Sequence, residues 1–257
     1  MKFFRWIIAA FSLYSKIPMP RVKTTEEDMS YALAFFPLVG LMIGGVTFGL
    51  QVLARFLELP VFVKTCICIL IPILLTGGFH LDGFMDTSDA LHSYREREEK
   101  LRIMKDPHCG AFAVISLAAY LIVLGGALYL VVENGEVRLL AVLAATFVIS
   151  RSLSGISALF FRKAKEDGML VWETANKHPG VVIALIVSLV LAAAFAMILH
   201  PLAGTAVFAT FGVTLLSYGA MSEKQFGGVS GDTAGWFVVV SEGAACIALA
   251  IVAFVPV

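Results

Sequence analysis

The sequence has little charge for its length. Asp, Glu, Lys and Arg together make up 15% of the 257 residues, against about 25% in an ordinary soluble domain. Hydrophobic residues make up 59%, and the mean hydropathy is +0.90. Because a soluble fold of this size needs more polar surface than this composition supplies, an ordinary soluble domain is excluded. The alternative solvent is lipid, which tolerates an apolar exterior.

The sequence also lacks the features of nucleic-acid binding and of cysteine-rich folds. Its 19 basic and 19 acidic residues cancel, so no net field draws the protein to nucleic acid. No two cysteines form a Cys-x-x-Cys pair, which argues against a zinc site or a disulfide framework. We interpret the four cysteines as reduced packing residues; they are Cys66, Cys68, Cys109 and Cys246.

A helix that crosses a bilayer needs about 20 mostly apolar residues, and the sequence contains about seven such stretches. Segment 3–14 is too short to span, so we expect an interfacial or re-entrant helix there. No repeat or second domain is evident. The predicted fold is all-α, a polytopic transmembrane helix bundle forming one integral membrane domain over residues 1–257. The predicted spans are residues 31–56, 59–79, 110–132, 139–161, 179–199, 201–222 and 234–255.

The distribution of Lys and Arg between the loops predicts the orientation. With seven spans, 15 of the 19 basic residues fall on the side of the N-terminus. Only Arg55, Lys64 and Arg138 fall on the other side, and Arg151 lies inside a span. The N-terminus is therefore predicted to be cytoplasmic and the C-terminus to be outside. The cytoplasmic loops are then about 15–30, 77–109, 162–178 and 223–233.

Three aspartates follow the second predicted span. Asp82, Asp86 and Asp89 stand at i, i+4 and i+7, so on a helix they lie within about 60° of one another. Carboxylates this close repel each other unless a cation offsets their charge. Mg²⁺ takes oxygen ligands and completes its shell with waters and phosphate oxygens, so the spacing suits a metal that grips a diphosphate. The alternative is a polar helix start with Asp82 as its N-cap.

The residues just before these aspartates are also candidates. Gly77 and Gly78 permit close approach of the backbone to a ligand. His80 is either a general base for a hydroxyl nucleophile or an interfacial histidine that bonds a backbone carbonyl. Both interpretations of His80 stay open.

Lys105 and Asp106 end the same loop, just ahead of the third span. Lys105 is a compact cation suited to phosphate, and Asp106 could complete a metal shell. The alternative is that Lys105 lies near lipid headgroups and that Asp106 stabilises a turn before Pro107. The two residues alone favour this simpler alternative.

A glycine-rich turn at residues 227–235 precedes the seventh span. Gly228 and its neighbours can present backbone N–H groups to an anion ahead of a helix N-terminus. Asp232 or Thr233 could equally be a plain N-cap. A glycine-rich turn by itself is weak evidence for a binding site.

Two charges lie inside apolar spans, Arg151 in the fourth and Glu242 in the seventh. A charge at such a place costs ~2.5–3.5 kcal/mol or more on insertion scales. Residues of this kind usually pair or line a wet cavity. We therefore expect Arg151 and Glu242 to pair, or to flank a polar substrate cavity that opens to the cytoplasm.

Taken in order, these motifs resemble the cobalamin synthase family, the adenosylcobinamide-GDP ribazoletransferases. The resemblance covers essentially the whole chain. Two departures are Ser15-Lys16, where the family often has threonine and arginine, and the loop around Asp167-Gly168, which is otherwise unlike the family. The matching segments are S-K-I-P-M-P at 15–20, F-F-P-L-V-G-L-M-I-G at 35–44, G-G-F-H-L-D-G-F-M-D-T-S-D at 77–89, I-M-K-D-P-H-C-G at 103–110, Arg151, and G-G-V-S-G-D-T-A-G at 227–235 with Glu242.

The resemblance implies an enzyme of the bacterial cytoplasmic (inner) membrane with Mg²⁺ as cofactor. It implies that adenosylcobinamide-GDP is joined to α-ribazole or its 5′-phosphate with release of GMP. Such a displacement at phosphorus needs charge stabilisation more than covalent catalysis. We expect catalytic roles for His80, Asp82, Asp86 and Lys105, and metal ligation by Asp82, Asp86, Asp89 and Asp106. The expected substrate-binding residues are Lys16, Gly77, Gly78, Arg151, Gly228, Asp232 and Glu242.

Two other functions stay open. A CDP-alcohol phosphotransferase also uses clustered aspartates and a metal, but its D-G-x-x-A-R element is absent after Asp82. A secondary transporter would use Arg151 and Glu242 as coupling charges, although the acids gather in loops and no inverted repeat is evident. The expected partners are small-molecule substrates and the lipid bilayer, with no nucleic acid. A homo-oligomer or a complex with other corrinoid-pathway enzymes is a further expectation.

Overall fold

The computed structural model describes residues 2–164, 169–174 and 178–255. Within these ranges the only β-type pairing is one isolated bridge between Lys163 and Val229, so the predicted all-α class is confirmed. A 3₁₀ turn, Leu33–Phe35, joins the second helix to the third. The helices are α1 Lys2–Tyr14, α2 Glu26–Ala32, α3 Phe36–Phe56, α4 Val61–Thr76, α5 Phe79–His92, α6 Arg97–Ile103, α7 Ala111–Asn134, α8 Val137–Phe160, α9 Met169–Glu173, α10 Pro179–Leu199, α11 Pro201–Phe226 and α12 Gly231–Ala253.

Six helical segments of the described chain are long and apolar enough to cross a membrane by themselves. One is Glu26–Phe56, which combines α2, the 3₁₀ turn and α3, and the others are α7, α8, α10, α11 and α12. A seventh crossing needs α4, which qualifies only together with α5, and these two helices are bent by 93°. Six or seven crossings agree with the predicted bundle of about seven.

The second predicted span, residues 59–79, differs most from the structure. Helix α4 ends at Thr76, and its 16 residues measure about 24 Å at 1.5 Å per residue, short of a hydrocarbon core of about 30 Å. Gly77 and Gly78 then take left-handed φ angles of 65° and 79°, which glycine adopts without steric cost. The chain turns at this point, so the helix of the predicted span ends at Thr76 and α5 starts in a new direction.

The ends of the crossing helices define two faces of the bundle. Arg55 at the end of α3 bonds the Gly135 carbonyl after α7, and Asn134 Nδ2 donates to the Ala253 carbonyl of α12 at 2.9 Å. We call this end the far face. Because α3, α7 and α12 run in the same direction, their first residues lie at the opposite end. We call that end, which also carries α1, α5, α6 and α9, the site face.

Helix α1 is the short N-terminal helix that the sequence predicts. It packs along α2 at the start of the first crossing, where Arg5 Nη2 lies 2.7 Å from Asp28 Oδ2. The Trp6 ring stacks on Tyr31 with 4.1 Å between centroids. These contacts hold α1 against the bundle and bury Tyr14 at its end.

Helices α3 and α8 approach closely because two glycines of α3 face α8. A Cβ at Gly40 would lie 2.2 Å from the Phe147 carbonyl oxygen, and one at Gly44 would lie 2.3 Å from that of Ala144. Small residues at such contacts let helix backbones pack closely in lipid. The same Cβ at Gly40 would lie 2.9 Å from Arg151 Cδ, so this contact also makes room for a buried arginine below the site face.

Candidate active site

Helix α5 carries the three predicted aspartates and is held against the first turns of α12. A Cβ at Gly83 would lie 2.7 Å from the Asp232 carbonyl oxygen, and one at Gly235 would lie 3.2 Å from that of His80. These glycines therefore let the backbones of α5 and α12 touch. The contact brings two helix N-termini to one place, where their N–H groups and dipoles favour negative charge.

Four carboxylates surround this contact, and we call them the acid cluster: Asp82, Asp86, Asp89 and Asp232. Burial raises the pKa of Asp86 to about 6, and the charges of Asp82, Asp232 and Asp89 add to that effect. Asp82 is exposed and the other three are half-buried. The N-cap of α5 is Gly78, so the alternative in which Asp82 caps the helix is wrong.

Asp232 joins the acid cluster from α12. The sequence predicts it as part of an anion-binding turn or as an N-cap, but the N-cap is Ser230. Ser230 Oγ accepts from the Thr233 N–H at 3.3 Å, and Thr233 Oγ1 accepts from the Ser230 N–H at 2.8 Å, which is a reciprocal capping box. The Asp232 carboxylate instead adds to the negative charge around Asp86.

The acid cluster suits a cation by its charge but does not enclose one by itself. Among the described residues, no three Asp, Glu, His or Cys side chains converge as a metal-binding group. Mg²⁺ is usually held by one or two carboxylates, with waters and substrate phosphates as its other ligands. The raised pKa of Asp86 means that its ionised form is poorly compensated by the protein alone. A divalent cation would relieve that repulsion, so the donor set fits the expected ion.

Lys16 lies across the turn between α4 and α5. Its backbone N–H donates to the Leu75 carbonyl at 2.8 Å, and a Cβ on Gly77 would lie 2.2 Å from Lys16 Cγ. The stem of Lys16 thus occupies the space that the glycine leaves, and the side chain is exposed. The structure therefore brings together three residues that the sequence predicts for substrate binding: Lys16, Gly77 and Gly78.

Below α5, the two intramembrane charges form an ion pair. Arg151 Nη1 donates to Glu242 Oε1, and Ser150 Oγ donates to the same oxygen at 2.6 Å. Arg151 is 1% exposed, so the pair compensates a charge that apolar surroundings would make costly. The expected pairing is confirmed. The pair also lines a cavity of about 70 Å³ that reaches Thr76 and His80.

Gly228 has a packing role that the prediction did not include. A Cβ there would lie 2.4 Å from the Arg162 carbonyl oxygen. The Val229 N–H donates to that carbonyl at 2.7 Å, and the Ala164 N–H donates to the Val229 carbonyl at 2.9 Å. The turn before α12 is thus joined to the segment after α8, and only glycine fits. A substrate contact at Gly228 stays a prediction.

The family model of cobalamin-5-phosphate synthase matches residues 6–250. The chain belongs to the cobalamin-5-phosphate synthase family. Curated relatives named adenosylcobinamide-GDP ribazoletransferase include the protein of Lachnoclostridium phytofermentans, 35% identical over 98% of this chain and 95% of the relative. Those of Clostridium botulinum and Escherichia coli are each 32% identical, over 93% and 91% of this chain and 94% of each relative. No solved structure matches the chain.

In this cobalamin-5-phosphate synthase family member, Lys105 and Asp106 lie on the exposed loop between α6 and α7. Asp106 Oδ1 accepts from the His108 N–H at 2.9 Å and lies 2.7 Å from its Nδ1. These contacts lower the pKa of Asp106. They agree with the alternative interpretation of the sequence, in which Asp106 stabilises a turn before Pro107. Asp106 is exposed and its carboxylate bonds His108, so its role as a metal ligand stays a prediction.

His80 is enclosed at the start of α5. Its ring stacks on Phe36 with 5.7 Å between centroids, and neither ring nitrogen has a hydrogen-bond partner among the described residues. The alternative of a histidine that bonds a backbone carbonyl is therefore wrong. Burial lowers the pKa of His80, and the charge of Arg151 adds to that effect. The ring is thus neutral at pH 7, with one nitrogen as donor and the other as acceptor.

Sequence reasoning missed two candidate functional residues, Tyr14 and Glu173. Both are buried and line one cavity with His80. Tyr14 resembles any aromatic residue at the membrane interface, and Glu173 belongs to no recognisable motif. The available signal for Glu173 is a lone acid directly after the apolar run Met169–Trp172. Asp167-Gly168, the family-like element of this loop, lies outside the described residues.

Proposed function

We propose that this chain is an adenosylcobinamide-GDP ribazoletransferase. It joins adenosylcobinamide-GDP to α-ribazole, or to its 5′-phosphate, and releases GMP. Curated relatives that carry this enzyme's name match more than nine-tenths of the chain. The structural observation that carries the proposal is the acid cluster at the contact of two helix N-termini, because transfer at a diphosphate depends on positioning and charge stabilisation.

The electrostatics of the site favour a diphosphate bound through a cation. The acid cluster alone repels an anion, so a diphosphate can bind here only if positive charge lies between them. Held by one or two carboxylates of the acid cluster, Mg²⁺ would supply that charge to the phosphate oxygens. Further positive charge comes from the Lys16 ammonium and from the backbone N–H groups in the first turns of α5 and α12. The protein groups are in place before the substrate arrives, which lowers the cost of reorganisation.

Different residues of the chain have different roles in the displacement at phosphorus. A ribose hydroxyl oxygen forms a new P–O bond while the P–O bond to the departing GMP breaks, and the hydroxyl proton passes to a base. A Cβ on Gly110 would lie 2.0 Å from Asp89 Oδ2, so the α6–α7 loop borders the acid cluster. Lys105 on that loop is the cation that stabilises the negative charge developing on the departing GMP.

The same proposal includes the cytoplasmic surface of the bacterial inner membrane as the location of the site. Its support is the charge asymmetry of the loops, since Arg55, Lys64 and Arg138 are the basic residues assigned to the far face. Positively charged loops stay in the cytoplasm. The N-terminus is then cytoplasmic, the C-terminus is outside, and water-soluble nucleotide substrates reach the site directly.

Release of GMP by the purified protein tests the function. With adenosylcobinamide-GDP, Mg²⁺ and α-ribazole, we expect GMP to appear together with the joined corrinoid product. Omitting α-ribazole or adding EDTA should stop the release. No GMP from well-folded protein supplied with all components would overturn the proposal. Formation of CMP from a CDP-alcohol would support the alternative phosphotransferase, and substrate uptake into vesicles without nucleotide release would support a transporter.

A further inference from the structure

A second cavity borders His80, and we call it the Tyr14–Glu173 cavity. Its polar walls are Tyr14 of α1, His80 of α5, Ser154 of α8 and Glu173 of α9, and the first turns of α12 line it as well. Its volume of about 40 Å³ exceeds the ~10–15 Å³ that one water needs but is far smaller than a nucleoside. It can therefore receive the hydroxyl-bearing end of a ligand whose remainder lies outside.

Several polar groups of the residues that line this cavity are buried and have no hydrogen bond of good geometry among the described residues. They are the Tyr14 hydroxyl, Glu173 Oε1 and both ring nitrogens of His80. Tyr14, His80 and Glu173 are 4%, 6% and 3% exposed. Each buried polar group left without a partner costs ~1–3 kcal/mol, and native proteins leave few of them. Three such side chains around one cavity point to a ligand that completes their bonds.

The Tyr14–Glu173 cavity lies beside the acid cluster. His80 stands two residues before Asp82 on α5, and the lining residue Gly231 directly precedes Asp232 on α12. The cavity and the acid cluster therefore border the same first turns of α5 and α12, where a hydroxyl and a diphosphate would be held by neighbouring groups. Bringing a nucleophile and an electrophile together in this way removes much of the entropic barrier to their reaction.

The protonation of Glu173 suits proton transfer. Burial raises the pKa of Glu173 to about 7, and the neighbouring Tyr14 hydroxyl partly opposes this rise, although the two groups lack the geometry of a formed hydrogen bond. A carboxyl with a pKa near the working pH is both partly ionised and sufficiently basic.

Among the residues that the structure describes, other charged groups near α9 do not account for the pKa of Glu173. Helix α2 packs on α9, and its acids Glu27 and Asp28 pair with Lys2 and Arg5 of α1. Lys163 donates to the hydroxyl of Thr174, next to Glu173. Burial and Tyr14 are the causes that act on the pKa of Glu173. The titratable or charged groups on the surrounding elements are Tyr14, Glu27, Asp28, Tyr31, His80 and Lys163.

We propose that Glu173 is the general base of the transfer and accepts the proton of the attacking ribose hydroxyl inside the Tyr14–Glu173 cavity. This inference rests on the proposed function. The O–H bond breaks as its oxygen forms the new P–O bond, and the proton passes to the Glu173 carboxylate. The electron pair of the broken P–O bond leaves with GMP. Tyr14 and His80 hold the hydroxyl-bearing group by hydrogen bonds.

The variant Glu173→Gln tests this role, because glutamine keeps the shape of the side chain but cannot accept the proton. We measure kcat for GMP release from about pH 5.5 to 9 with saturating Mg²⁺ and both substrates. In the wild type, kcat should rise with pH through about 7 as Glu173 ionises. In Glu173→Gln, kcat should fall ~10²–10⁴-fold and this rise should vanish, while KM for adenosylcobinamide-GDP should not change.

The variant Tyr14→Phe supplies a second test, because it should shift the pH profile of kcat in a known direction. Because the Tyr14 hydroxyl lowers the pKa of Glu173, its loss should move the rise in kcat to higher pH in an enzyme that stays active. If Glu173 had only a structural role, Tyr14→Phe would leave the pH at which kcat rises unchanged. The matched control is Glu133→Gln on α7 at the far face, where the exposed Tyr129 hydroxyl donates to Glu133 at 3.2 Å. That variant should keep the wild-type rate and pH profile.

The outcomes separate this inference from the proposed function. A rise near pH 7 that persists in Glu173→Gln, or that stays in place in active Tyr14→Phe, overturns the role of Glu173 while GMP release by the wild type leaves the function intact. Absence of GMP from the wild type overturns the function and this role together. If Glu173→Gln fails to fold, the pH profile of Tyr14→Phe decides.

Discussion

At the scale of single residues, the acid cluster favours binding over stability. Asp86 is half-buried, and three further carboxylates act on it. Ionised carboxylates at such a site repel one another, so the empty protein is less stable than it would be without this charge. A bound cation removes the repulsion. The same charge should therefore weaken the empty protein and serve the enzyme, a trade-off common at functional sites.

Asp86→Asn should lower kcat for GMP release by about 100-fold or more, because the amide cannot offset the charge of a cation or polarise its shell. Accumulation in the membrane should not change, since the substitution removes a destabilising charge. Turnover and membrane content are measured side by side, with Glu133→Gln as the control. Near-normal turnover in Asp86→Asn would contradict the assignment.

The stability of the metal-free protein should depend on pH through Asp86. Its pKa is about 6 in the folded protein against an ordinary 3.8, so the folded state binds the proton more tightly than the unfolded chain. The resulting stabilisation is complete below pH 3.8 and is lost as the pH rises through about 6. In EDTA, Tm should fall across this range more steeply in the wild type than in Asp86→Asn. If Tm fell equally with pH in both proteins, the ionisation of Asp86 would not be a source of instability.

Residue patterns predicted part of the site and missed the rest for identifiable reasons. The common face of Asp82, Asp86 and Asp89 follows from helical periodicity, which is local. The pairing of Arg151 with Glu242 follows from the cost of charge in lipid. The participation of Asp232 and the burial of Glu173 arise only when distant helices pack, and no local pattern encodes them.

At the scale of elements, α5 is positioned by the turn that precedes it and by its contact with α12. The glycine turn at 77–78 redirects the chain after α4, and Gly83 lets α5 touch α12. The apolar composition continues through this turn to Phe79, so hydropathy predicted a longer span there. Hydropathy does not register a bend of 93°, because the Gly77-Gly78 pair creates it through its backbone angles.

Gly83→Ala tests the contact between α5 and α12. The added Cβ would lie 2.7 Å from a backbone oxygen of Asp232, so the helices must separate, at a cost of ~1–3 kcal/mol. Because small displacements at an active site can cost up to ~10²-fold, we expect GMP release to fall about tenfold or more. Gly126→Ala in α7 is the matched control, since no atom lies within 4 Å of its added Cβ. Equal activity of both variants would contradict the proposed contact.

At the scale of the whole molecule, apolar length predicted the bundle and its approximate number of crossings. That success has a physical basis, since every backbone polar group in lipid must be satisfied within a helix. Sequence length alone could not predict which helices touch. The close pair α3–α8, with Gly40 and Gly44 against backbone carbonyls, depends on which helix faces meet in three dimensions.

Thiol labelling tests the orientation of the bundle. Cys109 is exposed on the α6–α7 loop, so a membrane-impermeant maleimide should label it in inverted vesicles and not in right-side-out ones. Glu133→Cys in a Cys109→Ser background places the thiol at the far face and should give the opposite result. Labelling of Cys109 only in right-side-out vesicles would invert the proposed orientation.

The central claim is that the acid cluster binds a diphosphate through a divalent cation. Its most direct test is the Kd of adenosylcobinamide-GDP, measured by calorimetry with Mg²⁺ and with EDTA, for the wild type and for Asp86→Asn. Coupling between two ligands is typically worth 5–150-fold in affinity. We predict that Mg²⁺ tightens binding about tenfold or more in the wild type and has little effect in Asp86→Asn. Equal affinity with and without Mg²⁺ in the wild type, or the same tightening in both proteins, would contradict the account.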